Sequence, residues 1–99
     1  MLRDQDEPVY MISIAAQLTG LHPQTVRLYE RIGLVQPRRI SNKNRLYSDS
    51  DILRLQQIRR FTQEMGVNLA GVEIILELLK RIEKLQDDLE EMRAGQAPP

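Results

Sequence analysis

Residues 13–33 read SIAAQLTGLHPQTVRLYERIG, and this stretch decides the fold. Gly20 divides it into two short helical segments, because glycine readily adopts the left-handed conformation that ends a helix. The second segment starts at Pro23, which suits a first helical turn since its φ is fixed and it has no N–H to satisfy. Ser13 and His22 are the predicted N-caps of the two helices. The pattern predicts a helix-turn-helix, although taken alone it also fits other corners between two helices.

A β-hairpin is predicted directly after the second helix, where residues 36–47 read QPRRISNKNRLY. Two stretches that tolerate strand geometry flank a polar tetrad, and Asn42 and Asn44 in that tetrad accept left-handed backbone angles. The tip carries Lys43 and is therefore basic. A small hairpin in this position is the wing of a winged helix-turn-helix.

A third helix is predicted from the end of the hairpin to Gly66. Ser48 is its expected N-cap, and Asp49 and Asp51 fall in the first turn, where the helix dipole favours negative charge. Its apolar side chains recur at helical spacing. They are Ile52, Leu55, Ile58 and Phe61. Asn68 then caps a fourth helix that continues to about residue 93.

The domain organisation follows from the length, because 99 residues are too few for two separate cores. We expect a mainly α protein made of a flexible N-terminal arm, a winged-helix domain, a dimerisation helix and a frayed tail. These segments are expected to span residues 1–8, 9–67, 68–93 and 94–99.

The net charge of zero conceals a division between a basic body and an acidic tail. Residues 22–60 carry nine Lys or Arg against three Asp or Glu, whereas residues 62–99 carry four against eight. A basic segment of this kind indicates a polyanionic partner, with an ordinary solvated surface as the alternative. The motifs decide between the two in favour of double-stranded DNA.

The outward face of the second helix carries side chains suited to reading DNA bases. Gln24, Arg27, Leu28 and Arg31 lie at helical spacing and share this face. In the major groove arginine can pair with guanine and glutamine with adenine, and a leucine can contact a thymine methyl. The competing interpretation, a solvated helix face, is weakened by the leucine at its centre.

Basic residues outside that helix are candidates for phosphate contacts, which set affinity and register without reading sequence. They are Lys43 and Arg45 in the wing and Arg59 and Arg60 late in the third helix. Tyr29 and Tyr47 are candidates as core aromatics whose hydroxyls reach a phosphate, with a purely structural role as the alternative.

The fourth helix carries a long apolar stripe. It consists of Ile75, Leu78, Ile82, Leu85, Leu89 and Met92. These positions step alternately by three and four residues, the spacing of a coiled-coil seam. The sequence ends soon afterwards, so we expect no later segment to cover the stripe, and a single solvated helix would expose a large apolar strip. A second copy of the chain is the expected partner, which predicts a homodimer.

Other classes of function lack the residues they need. The chain has no cysteine and one histidine, so disulfides, thiolate metal sites and redox sensing are excluded, and His22 alone is a poor metal ligand. No nucleophile–base set is recognisable, and we expect neither an enzyme nor a bound cofactor or metal. No apolar run approaches the roughly 20 residues of a membrane span, and the acidic N-terminus does not resemble a signal peptide. We therefore expect a cytoplasmic protein without a membrane partner.

Motifs spread over most of the chain resemble the MerR family of bacterial transcription regulators. Residues 13–20 (SIAAQLTG), 25–35 (TVRLYERIGLV) and 45–51 (RLYSDSD) follow the family pattern. Residues 22–25 (HPQT) and 63–72 (QEMGVNLAGV) narrow the likeness to the heat-shock repressor subgroup, HspR.

The resemblance implies a repressor of chaperone genes that binds an inverted-repeat operator, with the Hsp70 chaperone DnaK as co-repressor. It also implies an antiparallel coiled-coil dimer in a bacterial, nucleoid-associated protein. The resemblance also implies DNA contacts at the residues of this chain that match DNA-contacting positions of the family. Thr25, in the motif of residues 25–35, is a further candidate. The matching residues are Arg27, Tyr29, Arg45, Tyr47 and Arg60.

The chain departs from the family pattern at Leu28, where many members have an aromatic residue, and at Lys43 and Asn44, where Gly-Tyr is usual. Three other functions stay open: a MerR-type activator that untwists a promoter, an excisionase-like architectural protein, and a coiled-coil adaptor that never binds DNA. The heptad seam disfavours the architectural protein, since excisionase-type proteins usually lack one, and the basic segment disfavours the adaptor.

Overall fold

The computed structural model describes residues 3–41 and 44–96. The chain divides into two compact units, one ending at Gly66 and the other beginning at Val67. Within its described residues, the first unit holds three strands and three α-helices, followed by a π-helical turn. They are β1 (Pro8–Tyr10), α1 (Ile12–Thr19), α2 (Pro23–Arg31), β2 (Arg38–Arg39), β3 (Arg45–Ser48) and α3 (Asp49–Arg59). The predicted mainly helical, winged helix-turn-helix fold is confirmed.

The turn between α1 and α2 has the predicted local structure. Gly20 adopts a φ of 70° and its N–H donates to the carbonyl oxygen of Ala16, which ends α1. The Nδ1 atom of His22 accepts a hydrogen bond from the backbone N–H of Gln24 at 3.1 Å, and Pro23 is the first residue of α2. Three residues within a stretch of four, Gly20, His22 and Pro23, therefore fix where the first helix stops and the second starts.

The predicted N-cap of α1 is wrong. The helix begins at Ile12, so Met11 and not Ser13 is the cap, and the Met11 side chain makes no capping hydrogen bond. The backbone of Met11 is still extended, and its carbonyl oxygen accepts from the N–H of Ala15 at 2.9 Å. β1 ends at Tyr10, directly before Met11. The start of the helix therefore follows from the pairing of β1 in the sheet and not from a side-chain cap.

The sheet has the strand order β1-β3-β2, with β3 in the centre. β2 and β3 pair antiparallel, with Arg38 opposite Leu46 and Arg39 opposite Arg45, which confirms the predicted hairpin. The predicted tip residues Asn42 and Lys43 lie outside the described residues. β1 pairs antiparallel with the other edge of β3, an extension of the sheet that the sequence pattern did not predict.

The N-terminal arm, predicted to be flexible over residues 1–8, differs from that expectation where it is described. An Arg3 Nη2 atom lies 2.7 Å from Asp49 Oδ2, and the hydroxyl of Tyr10 donates to Asp49 Oδ1 at 2.6 Å. The hydrogen bonds from Tyr10 and Arg3 lower the pKa of the Asp49 carboxyl. The backbone N–H of Ser50 donates to the carbonyl oxygen of Gln5 at 2.9 Å. Residues 3–8 are thus bound to the start of α3.

α3 begins with a complete capping box, in which the Ser48 hydroxyl accepts from the N–H of Asp51 and the Asp51 carboxylate accepts from the N–H of Ser48. Its inward side chains Leu55 and Ile58 are fully buried. The predicted continuous helix to Gly66 is wrong after Arg59.

A π-helical turn follows from Arg60 to Glu64, and the N–H of Met65 donates to the carbonyl oxygen of Arg60. The hydroxyl of Thr62 donates to the carbonyl oxygen of Ile58 at 2.9 Å, and such back-bonding disturbs regular helical geometry. The periodicity of apolar residues gave no sign of this turn.

The second unit is the helix α4 (Leu69–Gly95), which is about 40 Å long. Asn68 caps it as predicted, because its side-chain oxygen accepts from the N–H of Gly71 at 2.8 Å. Val72 and Leu76 are buried, whereas every residue from 77 to 96 is exposed. The helix ends two residues beyond the predicted limit. In the described part of the chain, no helix is both long and apolar enough to cross a membrane.

Candidate nucleic-acid interface

The face of α2 predicted to read bases is open to solvent. Gln24, Arg27 and Arg31 are exposed, and Leu28 between them is half-buried. The opposite face is buried, with Val26 and Tyr29 in the core of the unit. Ile32 at the end of this side is exposed, since it is the C-cap of the helix. α2 therefore presents two guanidiniums and an amide on a helix whose other side is anchored.

Thr25 and Tyr29 lie on α2 but not on its open face. Thr25 is half-buried, and its backbone N–H donates to the carbonyl oxygen of His22 in the first helical turn. Tyr29 is 5% exposed. DNA contacts at these two positions remain predictions.

The wing contributes Arg45 next to α2. Its Nε atom lies 2.5 Å from Oε1 of Glu30, a residue of α2. This ion pair joins the central strand β3 to α2. Asn44 is exposed at the described end of the hairpin loop, and Lys43 lies outside the described residues.

A cleft of about 570 Å³ separates α2 from the wing strands. Four arginines line it: Arg27 and Arg31 from α2, Arg39 from β2 and Arg45 from β3. Glu30 is the one carboxylate among its described lining residues. The excess of positive charge makes the cleft a candidate site for a polyanion, because closely spaced guanidiniums attract phosphate groups.

Arg39 was not predicted as a site residue. The sequence places it in the first strand of a basic hairpin, and the antiparallel pairing with Arg45 was the signal that could have identified it. In the structure it is exposed and lines the same cleft as the predicted arginines.

Arg59 and Arg60 are adjacent in sequence but differ in environment. Arg60 is exposed at the start of the π-helical turn. Arg59 is half-buried. Its guanidinium carbon lies 3.4 Å from the position that a Cβ added at Gly20 would take. Its Nε has no hydrogen-bond partner among the described residues. The structure therefore leaves Arg60 as the more accessible candidate for a phosphate contact.

Tyr47 is fully buried, so its predicted DNA contact would require the hydroxyl to reach the surface. The hydroxyl has no hydrogen-bond partner within the described part of the chain. Burial, together with the nearby charge of Glu30, raises the pKa of Tyr47 to about 12. The ring therefore belongs to the core, beside the Glu30–Arg45 pair.

Tyr47→Phe is expected to leave stability at pH 7 unchanged or to raise it, because the variant removes a buried hydroxyl without a partner. The hydroxyl ionises near pH 10 in the unfolded chain but near 12 in the folded one, so the stability of the wild type falls as the pH rises through this window. The variant lacks that contribution. Denaturant unfolding at pH 7 and pH 11 measures the difference, and two proteins that lose stability in parallel would contradict the assignment.

No group of three or more histidine, cysteine or carboxylate side chains is close enough to hold a metal ion within residues 3–41 and 44–96. The site residues brought together by the fold are arginines and an amide, which are donors for phosphates and bases rather than metal ligands.

The profile of the MerR helix-turn-helix regulatory protein family matches residues 10–79, a span that includes both helices of the helix-turn-helix and the wing. The chain belongs to the MerR family. The resemblance drawn from the motifs is thereby confirmed.

Several named relatives of this MerR-family chain are transcription regulators. It is 49% identical over 91 residues to the heat shock protein HspR of Streptomyces coelicolor, an alignment that covers 92% of this chain and 60% of the relative. It is 38% identical over 90 residues to the transcriptional repressor CarH of Myxococcus xanthus, covering 90% of this chain and 28% of CarH. It is 37% identical over 84 residues to the regulator TnrA of Bacillus subtilis, covering 85% of this chain and 74% of TnrA. The chain thus spans less than two thirds of the length of HspR and CarH.

The predicted dimerisation stripe of this MerR-family chain lies along α4. Five of its six residues are exposed: Leu78, Ile82, Leu85, Leu89 and Met92. The sixth, Ile75, is half-buried. Polar neighbours flank the stripe, with ion pairs one helical turn apart between Glu77 and Arg81 and between Lys84 and Asp88. An apolar stripe with paired charges beside it is typical of a coiled-coil helix.

Proposed function

We propose that this MerR-family chain is a transcription regulator that binds double-stranded DNA as a homodimer on an inverted-repeat operator. The observation that carries the proposal is the cleft with its four arginines beside the open face of α2. Phosphates would lie against Arg39 and Arg45 of the cleft and against Arg60. Base edges would meet the open face of α2, which carries Gln24, Arg27, Leu28 and Arg31. Selection of duplexes from a random library by the wild-type protein tests it. We expect enrichment of a sequence with two-fold symmetry.

The homodimer is supported by the exposed stripe on α4. Side chains of this size contribute roughly 1.5–3 kcal/mol each when they are fully buried, so six per chain give a large gross driving force. The antiparallel arrangement is proposed from the family resemblance. A two-fold symmetric dimer would place two recognition helices on two half-sites, which is why an inverted repeat is the expected operator.

Repression of heat-shock genes is proposed from the likeness to HspR, whose name describes a heat shock protein. In this proposal the protein acts in the bacterial cytoplasm on the nucleoid, with DnaK as co-repressor. A chaperone that binds the dimer–DNA complex stabilises that complex by mass action, and it leaves when unfolded proteins compete for it.

Addition of purified DnaK to the wild-type protein and its selected duplex is expected to raise the apparent affinity for the duplex and to form a ternary complex. Fluorescence anisotropy titrations at several DnaK concentrations measure the change. An affinity that stays constant at every concentration, without a ternary complex, would contradict the co-repressor proposal but not DNA binding.

Arg60→Ala is expected to weaken binding to selected and random duplexes by the same factor, because a phosphate contact carries no sequence information. The slope of the logarithm of affinity against the logarithm of salt concentration should fall by about 0.9, the value for one lost phosphate contact. Arg93→Ala, which removes the same charge from the exposed end of α4, is the control. A loss confined to the selected duplex would contradict the assignment of Arg60.

A further inference from the structure

Glu30 is the one carboxylate among the described residues of the arginine-lined cleft, and it occupies an unfavourable position for a DNA-binding surface. Glu30 lies on α2 between Arg27 and Arg31, both of which line the same cleft. A negative charge there repels the phosphates that the arginines attract. A carboxylate at this position therefore needs a role that offsets its repulsion of phosphates.

Glu30 forms an ion pair with Arg45, at 2.5 Å between Nε and Oε1. The Glu30 side chain is 17% exposed and that of Arg45 is 29% exposed, so water screens the pair less than it screens a surface pair. The pair lies beside the fully buried ring of Tyr47, whose pKa both charges influence.

The planar shape of the guanidinium determines how the ion pair orients the remaining N–H donors of Arg45. Glu30 Oε1 forms an ion pair at Nε, although the Nε–H makes no hydrogen bond among the described residues, while Nη1 and Nη2 of the same planar group carry further N–H donors. A guanidinium held at one nitrogen presents the others in a fixed direction, because the group is rigid and planar. Arg45 is on β3 and Glu30 on α2, so the pair also ties the wing to the recognition helix.

We infer that Glu30 is a positioning residue for DNA recognition: it orients Arg45 and fixes the wing relative to α2, so that wing and helix engage the duplex in one register. The inference rests on the proposed DNA-binding function. In this arrangement Glu30 reduces non-specific attraction and increases the preference for the correct sequence.

Glu30→Gln keeps the size of the side chain and removes its charge. We expect the affinity for the selected duplex to fall about tenfold, the effect of losing one close and partly buried ion pair, with no loss of affinity for a random duplex. The ratio of the two affinities therefore falls about tenfold. Glu64→Gln, the same change at an exposed carboxylate, is the matched control and should leave that ratio unchanged.

Two further variants separate positioning from charge and from folding. Arg45→Lys keeps the charge but lacks the planar group, and we expect it to lower the affinity ratio about as much as Glu30→Gln. In an Arg45→Ala background, Glu30→Gln should lower the ratio no further. The side-chain Nε chemical shift of Arg45 in NMR spectra should change in Glu30→Gln, because the adjacent charge is lost, while the backbone spectrum is retained.

The inference is overturned if Glu30→Gln changes both affinities as Glu64→Gln does, or if Arg45→Lys keeps the wild-type ratio. It is also overturned if Glu30→Gln lowers the ratio equally with and without Arg45. Should Glu30→Gln fail to fold, Glu30→Asp, which keeps the charge but shortens the reach of the carboxylate, replaces it in the same comparison. A wild-type protein that enriches no duplex would instead overturn the proposed function on which the inference depends.

Discussion

Leu85→Glu is expected to convert the dimer to a monomer and to abolish measurable binding to the selected duplex. Leu85 lies near the middle of the stripe on α4 and is 66% exposed in the single chain. In the proposed dimer the variant would place two carboxylates in an apolar seam, and each would lose water without gaining a partner. Together with the lost burial of two leucines, this amounts to several kcal/mol, or about a thousandfold or more in the dimer dissociation constant.

Sedimentation equilibrium at micromolar concentration measures the mass of the variant, and anisotropy measures its binding to the duplex. Gln86→Glu is the matched control, because it adds the same charge at the next position, off the stripe, where the side chain is exposed. The control should remain dimeric and bind as the wild type does. A Leu85→Glu protein that stays dimeric would show that the stripe is not the dimer interface.

Arg27→Ala is expected to remove a large part of the preference for the selected duplex. Arg27 is exposed on the open face of α2 and lines the cleft, so its guanidinium can reach base edges when the helix enters the major groove. Loss of one such pairing costs about 1–3 kcal/mol of discrimination, or roughly five- to 150-fold in the affinity ratio. The affinity for a random duplex should fall far less, by the contribution of one charge.

Competition of selected and random duplexes for the variant measures this ratio. Arg38→Ala is the control, since Arg38 is an exposed arginine on β2 outside the arginine-lined cleft. Removing it should affect both duplexes to a similar degree. If Arg27→Ala behaved in the same way, Arg27 would be a phosphate contact and not a reader of bases.

The parts of the fold that the sequence predicted are those fixed by local chemistry. Gly20, His22 and Pro23 act within one turn of their own backbone, so their effects can be derived without tertiary structure. The same holds for the caps at Ser48 and Asn68.

The features that the sequence did not reveal depend on contacts between distant residues. The start of α1 is set by the pairing of β1 with β3, and the arm is bound through an ion pair between Arg3 and Asp49. The π-helical turn after Arg59 interrupts a regular apolar spacing that by itself predicted an unbroken helix.

In the candidate site, too, local periodicity predicted some features, whereas others depend on tertiary packing. The periodicity of α2 was enough to place Gln24, Arg27 and Arg31 on one face. The pairing that brings Arg39 into the cleft, the burial of Tyr47 and the contact between Glu30 and Arg45 all depend on how the hairpin packs beside α2. Prediction of each helix and strand separately does not show how the hairpin packs beside α2.

The mass of the protein on its selected duplex is the most direct test of the central claim that a dimer of this chain recognises DNA. Light scattering coupled to gel filtration should give about twice the chain mass of 11.5 kDa for the free protein. It should give one dimer for each duplex with two-fold symmetry, and no stable complex with a random duplex at physiological salt. A free protein of 11.5 kDa that binds selected and random duplexes equally would contradict the claim.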